Sequence, residues 1–343
     1  MKYYIFISLL LLSLSACQPK PKTLQHSSLS FGTLIDISLY DVDDNLAQQA
    51  FDELDDDFKQ LHTAWSPWVA GSLKRMNNLL PSGGFFSADP SVLELIKASI
   101  PLSKATQHLY NPAIGKLINL WQFHKSDEAD IQPPAAEKIA QLVKQNPQLS
   151  DLEINGIRIR SHNPALQLSF GAFAKGVGID MGIKHLQSLG IKNAILNAGG
   201  DLKVIGQHGQ RPWRIAIRHP RQNGMIASLE ARDGEAVFTS GDYERFYMYK
   251  GKRYHHILDP RTGYPATASQ SVTVIHKNAG LADAAATALF IAGADGWYDI
   301  AKKLGLKYVM LIDAKGNIIV SPEMQKRLTF MQATPTLIVS PPL

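Results

Sequence analysis

The chain has 343 residues, 45% hydrophobic and 19% charged, a balance that supports a large folded core and excludes a disordered or fibrous chain. Its net charge of +5 is spread over scattered lysines and arginines, with no arginine-rich run, so nucleic acid is not an expected partner. A single cysteine, Cys17, rules out any internal disulfide, and stability must come from the core.

Lys2 and an apolar run over residues 5–14 open the chain, and that run is too short to cross a bilayer as a helix. It ends in Leu14-Ser15-Ala16-Cys17, which resembles the lipobox of bacterial lipoproteins, whose chains are cut before a cysteine that takes the lipid. The resemblance implies a signal peptide over 1–16, a lipidated Cys17 and tether over 17–28, and a body over 29–343. Such a body sits at a membrane surface on the periplasmic side. Gln18 rather than Asp after the cysteine implies the outer membrane. The alternative is an ordinary signal peptide with an incidental cysteine.

Thr33 to Tyr40 alternates Ile35, Ile37 and Leu39 and predicts a half-buried strand. Asn45 is expected to cap a helix to about His62, whose acidic run (Asp52, Glu53, Asp55, Asp56, Asp57) reads as a solvated face rather than a metal cluster. A helical region over 91–121 is expected to break at Pro101 and Pro112. "GIRIRS" and "ALQLSF" look like paired strands, followed by a helix ending at Gly190. A succession of short strands comes next, with Lys250-Gly251 as a hairpin turn. Two helices and a final strand pair complete the chain. The pattern predicts an α+β fold, with a large, mostly antiparallel sheet, packed helices and two intimately joined lobes.

Four stretches hold chemistry. Asp283 and Thr287 lie four apart on a helix that is apolar on every side, and a carboxylate buried there needs a cation, donors or a cavity. Carboxylate and hydroxyl suit Mg²⁺, although a local cap explains them equally well. Residues 171–178, GAFAKGVG, suit an anion near Lys175, or simply close helix packing. Gly199-Gly200-Asp201 allows close ligand approach or a plain hairpin turn. In "RYHHILDPRTGYP", His255 and His256 would face opposite sides of a strand, so only one can face a site. Ser240-Gly241 reads as a strand end or turn. No nucleophile elbow and no zinc spacing occurs.

In order, "GAFAKG", "LNAGGD", "FTSGDYERF", "HHILDPRTGYP", "SVTVI" and "ADAAATALFIAG" resemble the FAD:protein FMN transferase family, formerly called thiamine-biosynthesis lipoproteins. "SPWVAGSLKRMN" and "LYNPAIGKLINLWQF" fit as well. The resemblance implies a T-fold-like body that binds FAD and Mg²⁺. It further implies attachment of the FMN half, through a phosphodiester, to a threonine or serine hydroxyl of a partner, with release of AMP. The implied partners are flavin-accepting subunits of sodium-pumping NADH:quinone oxidoreductases and Rnf-type complexes. Asp283, Thr287 and the backbone carbonyl of Ala172 match the metal ligands, and His256 matches the base. Phe31, Trp68, Leu109, Tyr110, Asn111, Ser169, Lys175, Gly199, Gly200, Asp201 and Ile257 match positions around FAD. Phe31 stands where the family often has Met, and Asn111 and Ser169 stand where it often has Asp. An Mg²⁺-dependent FAD pyrophosphatase and a flavin-binding lipoprotein are the competing readings.

Overall fold

Nine strands form the main sheet of the computed structural model, which describes residues 22–125, 131–331 and 336–343. They are β1 (Thr23–Ser30), β2 (Thr33–Tyr40), β3 (Ala194–Ala198), β4 (Asp201–Ile205) and β5 (Ala236–Gly241), then β6 (Ser269–His276), β7 (Tyr308–Asp313), β8 (Ile318–Val320) and β9 (Leu337–Val339). Their order across the sheet is their order along the chain. Each neighbouring pair is antiparallel except β8 with β9, which is parallel. The expected α+β architecture is therefore present, with helices and small sheets inserted in the connections.

The signal peptide, Cys17 and the first part of the tether lie outside the described residues. Residues 23–28, read as tether, instead form most of β1. Their sequence has little apolar alternation, and the strand is held by register with β2, from Thr23 opposite Tyr40 to Ser30 opposite Thr33. Its His26 also reaches Asp55 at 2.7 Å and stacks on Phe51.

Helices α1 (Asp44–Trp65), α2 (Ala174–Ser188) and α3 (Ala279–Lys303) pack with the main buried cluster, to which Ile35, Ile37 and Leu39 belong. Asp43, not Asn45, caps α1: its carboxylate accepts from the N–H groups of Asn45 and Leu46 at 3.0 and 3.3 Å. The helix runs past His62 to Trp65 because Leu54, Phe58 and Trp65 continue its buried stripe. Most of the acidic run is solvated, while Glu53 meets His185 and Asp55 meets His26.

Pro101 does not end its helix, which spans Pro90–Ala105. It forfeits one hydrogen bond near the C-terminal end, and buried Leu95, Ile96 and Ser99 hold the helix regardless. The break falls between Ala105 and Gly115, around Pro112. Arg158–Ser161 pairs with Leu152–Asn155, not with residues 165–170, because Gly156, at φ 61°, makes a tight turn that was read as strand. Residues 165–170 join none of the sheets of the described residues, and Gln167 forms an isolated bridge with Ile114. On the other face, strands Trp213–Arg218 and Met225–Ala231 cover a second cluster that includes Val204, Ile275 and Met310.

Helices α2 and α3 touch through backbone. A Cβ on Gly176 would stand 2.3 Å from the Ala279 carbonyl oxygen, and one on Gly280 would strike Phe173. Helix propensity alone would favour Ala over Gly by about 1 kcal/mol. Here the obstacle is a carbonyl that cannot swing aside, and overpacking costs about 1–3 kcal/mol. Gly176→Ala is therefore expected to lower the thermal unfolding midpoint by a few degrees; an unchanged or raised midpoint would mean that the two helices part freely.

Candidate active site

The contact between α2 and α3 builds the polar centre. The first-turn N–H groups of a helix have no intrahelical partner, and that of Gly176 donates to Asp283 Oδ2 at 3.0 Å. One residue earlier, Lys175 forms an ion pair with Asp201, the first residue of β4. The other oxygen of Asp201 accepts from the Thr239 N–H of β5 at 2.7 Å. One turn beyond Asp283, Thr287 Oγ1 lies 3.1 Å from Ser240 Oγ. Ser240 and Gly241 thus lie within β5, opposite Val272 and Ser271, rather than in a turn. Ala172 occupies the turn just before α2.

Electrostatics follow from this crowding. Burial by itself would lower the Lys175 amine, but the carboxylates of Asp201 and Asp283 outweigh it and hold the pKa above its ordinary value. Burial pushes the Asp283 carboxyl up to about 7, against the pull of Lys175 and the Gly176 N–H, with Asp201 adding to the rise. Lys175 thus pairs with Asp201, while Asp283, raised to about 7, carries only part of a negative charge near neutral pH. One turn along the same helix, the Thr287 hydroxyl adds an oxygen of the same hard kind. Among the described residues no group of three His, Cys, Asp or Glu side chains converges as a metal cluster. A cation here would therefore draw its remaining ligands from a bound molecule or water, and the donor set fits Mg²⁺ on those terms.

The two histidines divide as the alternation required. His255 ends the strand Lys252–His255 and is 5% exposed. Its Nδ1 accepts from the Ile257 N–H at 3.3 Å, so its Nε2–H donates to the Ala266 carbonyl at 2.7 Å. Its ring meets Phe290 of α3 edge-on. His256 lies just beyond the strand end, with its N–H and its Nδ1 against the Arg245 carbonyl at 3.1 and 3.3 Å. An Nδ1–H donated there leaves the lone pair of Nε2 free. Desolvation, then the charges of Arg245, His255 and Lys175, lower the pKa of His256 to about 3, which keeps it neutral.

The remaining predicted residues form the surroundings. Gly199 and Gly200, at φ 65° and 100°, make the two-residue turn between β3 and β4, and a Cβ on Gly199 would collide with Thr33. Tyr110 is buried, with its hydroxyl 2.8 Å from Ser99, and burial together with the Asp283 charge raises its pKa. Leu109 and Ile257 belong to the same buried cluster. Asn111 has both ends committed to backbone: Oδ1 accepts from Ala113 and Nδ2 donates to the Pro147 carbonyl. The Ser169 N–H donates to the Pro112 carbonyl. Those two positions thus help to brace the loop after the Pro90–Ala105 helix. Trp68, 37% exposed, donates to Asn119 and stacks on His124 at 4.8 Å. Phe31, at φ 53° in the β1–β2 turn, lies over Trp65 and against Gly178. Thr239 and Arg245 escaped the sequence reading. Only the hairpin register could have put Arg245 beside His256, eleven residues on.

Residues 31–310 match the model of the ApbE family. The chain belongs to the ApbE family. It is 40% identical over 301 residues to the FAD:protein FMN transferase of Rhodobacter capsulatus, a match that takes in 87% of this chain and 57% of that protein's length. It is 29% identical over 310 residues to the FAD:protein FMN transferase of Vibrio cholerae, with 88% and 91% of the two chains matched. The crystal structure of the ApbE protein from Thermotoga maritima superposes with a TM-score of 0.81 at 27% identity, over 91% of this chain and 100% of that one. The flavin transferase ApbE from Vibrio cholerae superposes at 0.78 and 27% identity, over 90% and 99%.

A histidine with a depressed pKa stays neutral in the folded chain, while the unfolded chain takes up its proton below about pH 6.5. Both His255 and His256 are depressed, so stability present at neutral pH is lost as pH falls through that value. For His256, whose pKa is lowered to about 3, the loss is about 1.4 kcal/mol near pH 5.5. His256→Gln is expected to flatten the decline in unfolding midpoint between pH 7 and pH 5; a decline as steep as in the unaltered chain would mean that His256 is charged in the fold.

Proposed function

We propose that this chain is an FAD:protein FMN transferase, joining the FMN half of FAD by a phosphodiester to a threonine or serine hydroxyl of a partner protein and releasing AMP. The single observation that supports it most is the convergence, from four separate parts of the sequence, of Lys175, Asp201, Asp283 with Thr287, and neutral His256. The acceptor hydroxyl attacks the phosphorus of the FMN half, its proton passes to His256 Nε2, and the bond from phosphorus to the AMP oxygen breaks. Lys175 offers a cation to the pyrophosphate, and Asp201 holds that ammonium in place. Asp283, Thr287 and the Ala172 carbonyl would hold Mg²⁺, which when bound supplies charge neutralisation on the pyrophosphate. Because His256 is neutral throughout the physiological range, it is ready to accept a proton without first losing one.

The acceptors proposed are flavin-carrying subunits of sodium-pumping NADH:quinone oxidoreductases or Rnf-type complexes. The body is proposed to face the periplasm, tethered by lipid on Cys17, most simply at the outer membrane. These readings draw on the family resemblance and the lipobox-like Leu14-Ser15-Ala16-Cys17.

The test mixes the chain with FAD, Mg²⁺ and such a subunit, and reads flavin fluorescence on the denatured acceptor and AMP in solution. His256→Ala is expected to cut transfer by about 10²–10⁴-fold with FAD binding retained. Asp283→Ala is expected to abolish the Mg²⁺ dependence together with most of the rate. Transfer by His256→Ala at the unaltered rate would overturn the assignment of the base. AMP and free FMN formed as fast without acceptor would make the chain a hydrolase instead.

A further inference from the structure

Behind the polar centre, on the same three elements, lies a second polar cluster. Asp180 stands on α2 one turn after Gly176 and so shares its face. Its Oδ2 accepts from the N–H of Ala279, the first residue of α3, at 2.9 Å. Its Oδ1 meets the Lys203 ammonium of β4 at 2.6 Å, and Lys203 also donates to the Lys277 carbonyl at 2.6 Å. The side chains of Asp180 and Lys203 are 18% and 14% exposed, so the pair is screened much less than a surface bridge. Each member stands a fixed step from a residue of the centre. Lys203 is two residues along β4 from Asp201, and strand alternation puts both on one side. Ala279 lies one helical turn ahead of Asp283. Helix α2 therefore holds Ala279 twice, with Gly176 packed on its carbonyl and Asp180 bonded to its N–H.

We propose that Asp180, braced by Lys203, is a positioning residue that sets the offset between α2 and α3, and through it the spacing of the oxygens that would hold the cation. The inference rests on the transferase reading and deepens its metal site. The proposed ligands belong to two elements: the Ala172 carbonyl on the turn before α2, and Asp283 with Thr287 on α3. A slip of one helix along the other would move the two sets relative to each other. Mg²⁺ tolerates little of that, since it demands near-octahedral oxygens at about 2.0–2.1 Å. Packing of glycine on alanine is non-directional and resists a slip poorly. A carboxylate held by donors from two other elements fixes one register, and the positive end of α3 favours its charge. Asparagine cannot take over this role unaided. Both carboxylate oxygens face donors, so an amide must turn its NH₂ against Lys203 or against Ala279. Removing the ammonium removes that conflict.

The experiment compares the full chain with Asp180→Asn, Lys203→Met and the double variant carrying both. Mn²⁺, which like Mg²⁺ takes octahedral oxygen ligands, is titrated with FAD present and no acceptor. Its uptake is read from the loss of the free-ion paramagnetic resonance signal, against FAD alone as control. Unfolding midpoints are recorded for each chain, and flavin transfer is measured well below them. Asp180→Asn is expected to weaken Mn²⁺ uptake by about 10–100-fold and to slow transfer alongside. Lys203→Met, which withdraws the brace and leaves the carboxylate, is expected to weaken uptake by about threefold. The double variant is expected to recover to that same level, because its amide oxygen faces the Ala279 N–H uncontested. A lowered midpoint in Asp180→Asn with uptake unchanged would make the cluster a structural staple only and overturn the proposal. A double variant no better than Asp180→Asn would overturn it too, as would an unaltered chain that takes up no Mn²⁺. Should Asp180→Asn fail to fold, Lys203→Met decides, and uptake at the unaltered level would count against the proposal. Uptake that follows the expected pattern while even the unaltered chain transfers no flavin would uphold the positioning role and count against the transferase reading.

Discussion

Two carboxylates and one ammonium share a nearly dry interior where α2 meets α3, and the rest of the site is arranged around that imbalance. Ionised groups a few ångströms apart interact by several kcal/mol at the effective dielectric of a protein. Lys175 is ion-paired with Asp201, so Asp283 has no ion pair of its own, and burial pushes its carboxyl up to about 7. The fold tolerates this because the Gly176 N–H, unsatisfied by its own helix, faces Asp283. That contact exists only because Gly176 has no side chain to keep the Ala279 carbonyl away. A glycine chosen for close packing is thereby also the residue that aims a donor at the carboxylate.

The same economy governs the paired histidines. His255 uses both ring nitrogens inside the protein, joining the strand end to Ile257 and Ala266, while its ring rests on Phe290 of the helix that bears Asp283 and Thr287. His256 is thereby held against the Arg245 carbonyl with one nitrogen free. Each neighbour does what the other's position forbids, since adjacent residues at a strand end cannot share a face.

Where sequence reading went astray, competition between local rules explains it. Pro101 signals a helix break, but the burial of Leu95, Ile96 and Ser99 outweighs one missing hydrogen bond. The polar run of β1 has no amphipathic pattern, and its pairing with β2 cannot be seen without β2 in place. Asn111 commits its amide to backbone partners that the sequence does not reveal. Such partners are up to 36 residues away for Asn111, a separation that no local pattern encodes.

The sequence by itself determined the class of fold, through strand alternation and the all-round apolar helix of Asp283. It also determined which residue types gather at the polar centre, because motif order survives without coordinates. Tertiary structure alone decided that Asp201 pairs with Lys175, that Arg245 backs His256, and that Asp180 and Lys203 grip the start of α3. The reason is physical: charge, desolvation and hydrogen bonding act over a few ångströms in space, and residues that meet at that range, such as Gly176 and Asp283, lie 107 positions apart along the chain.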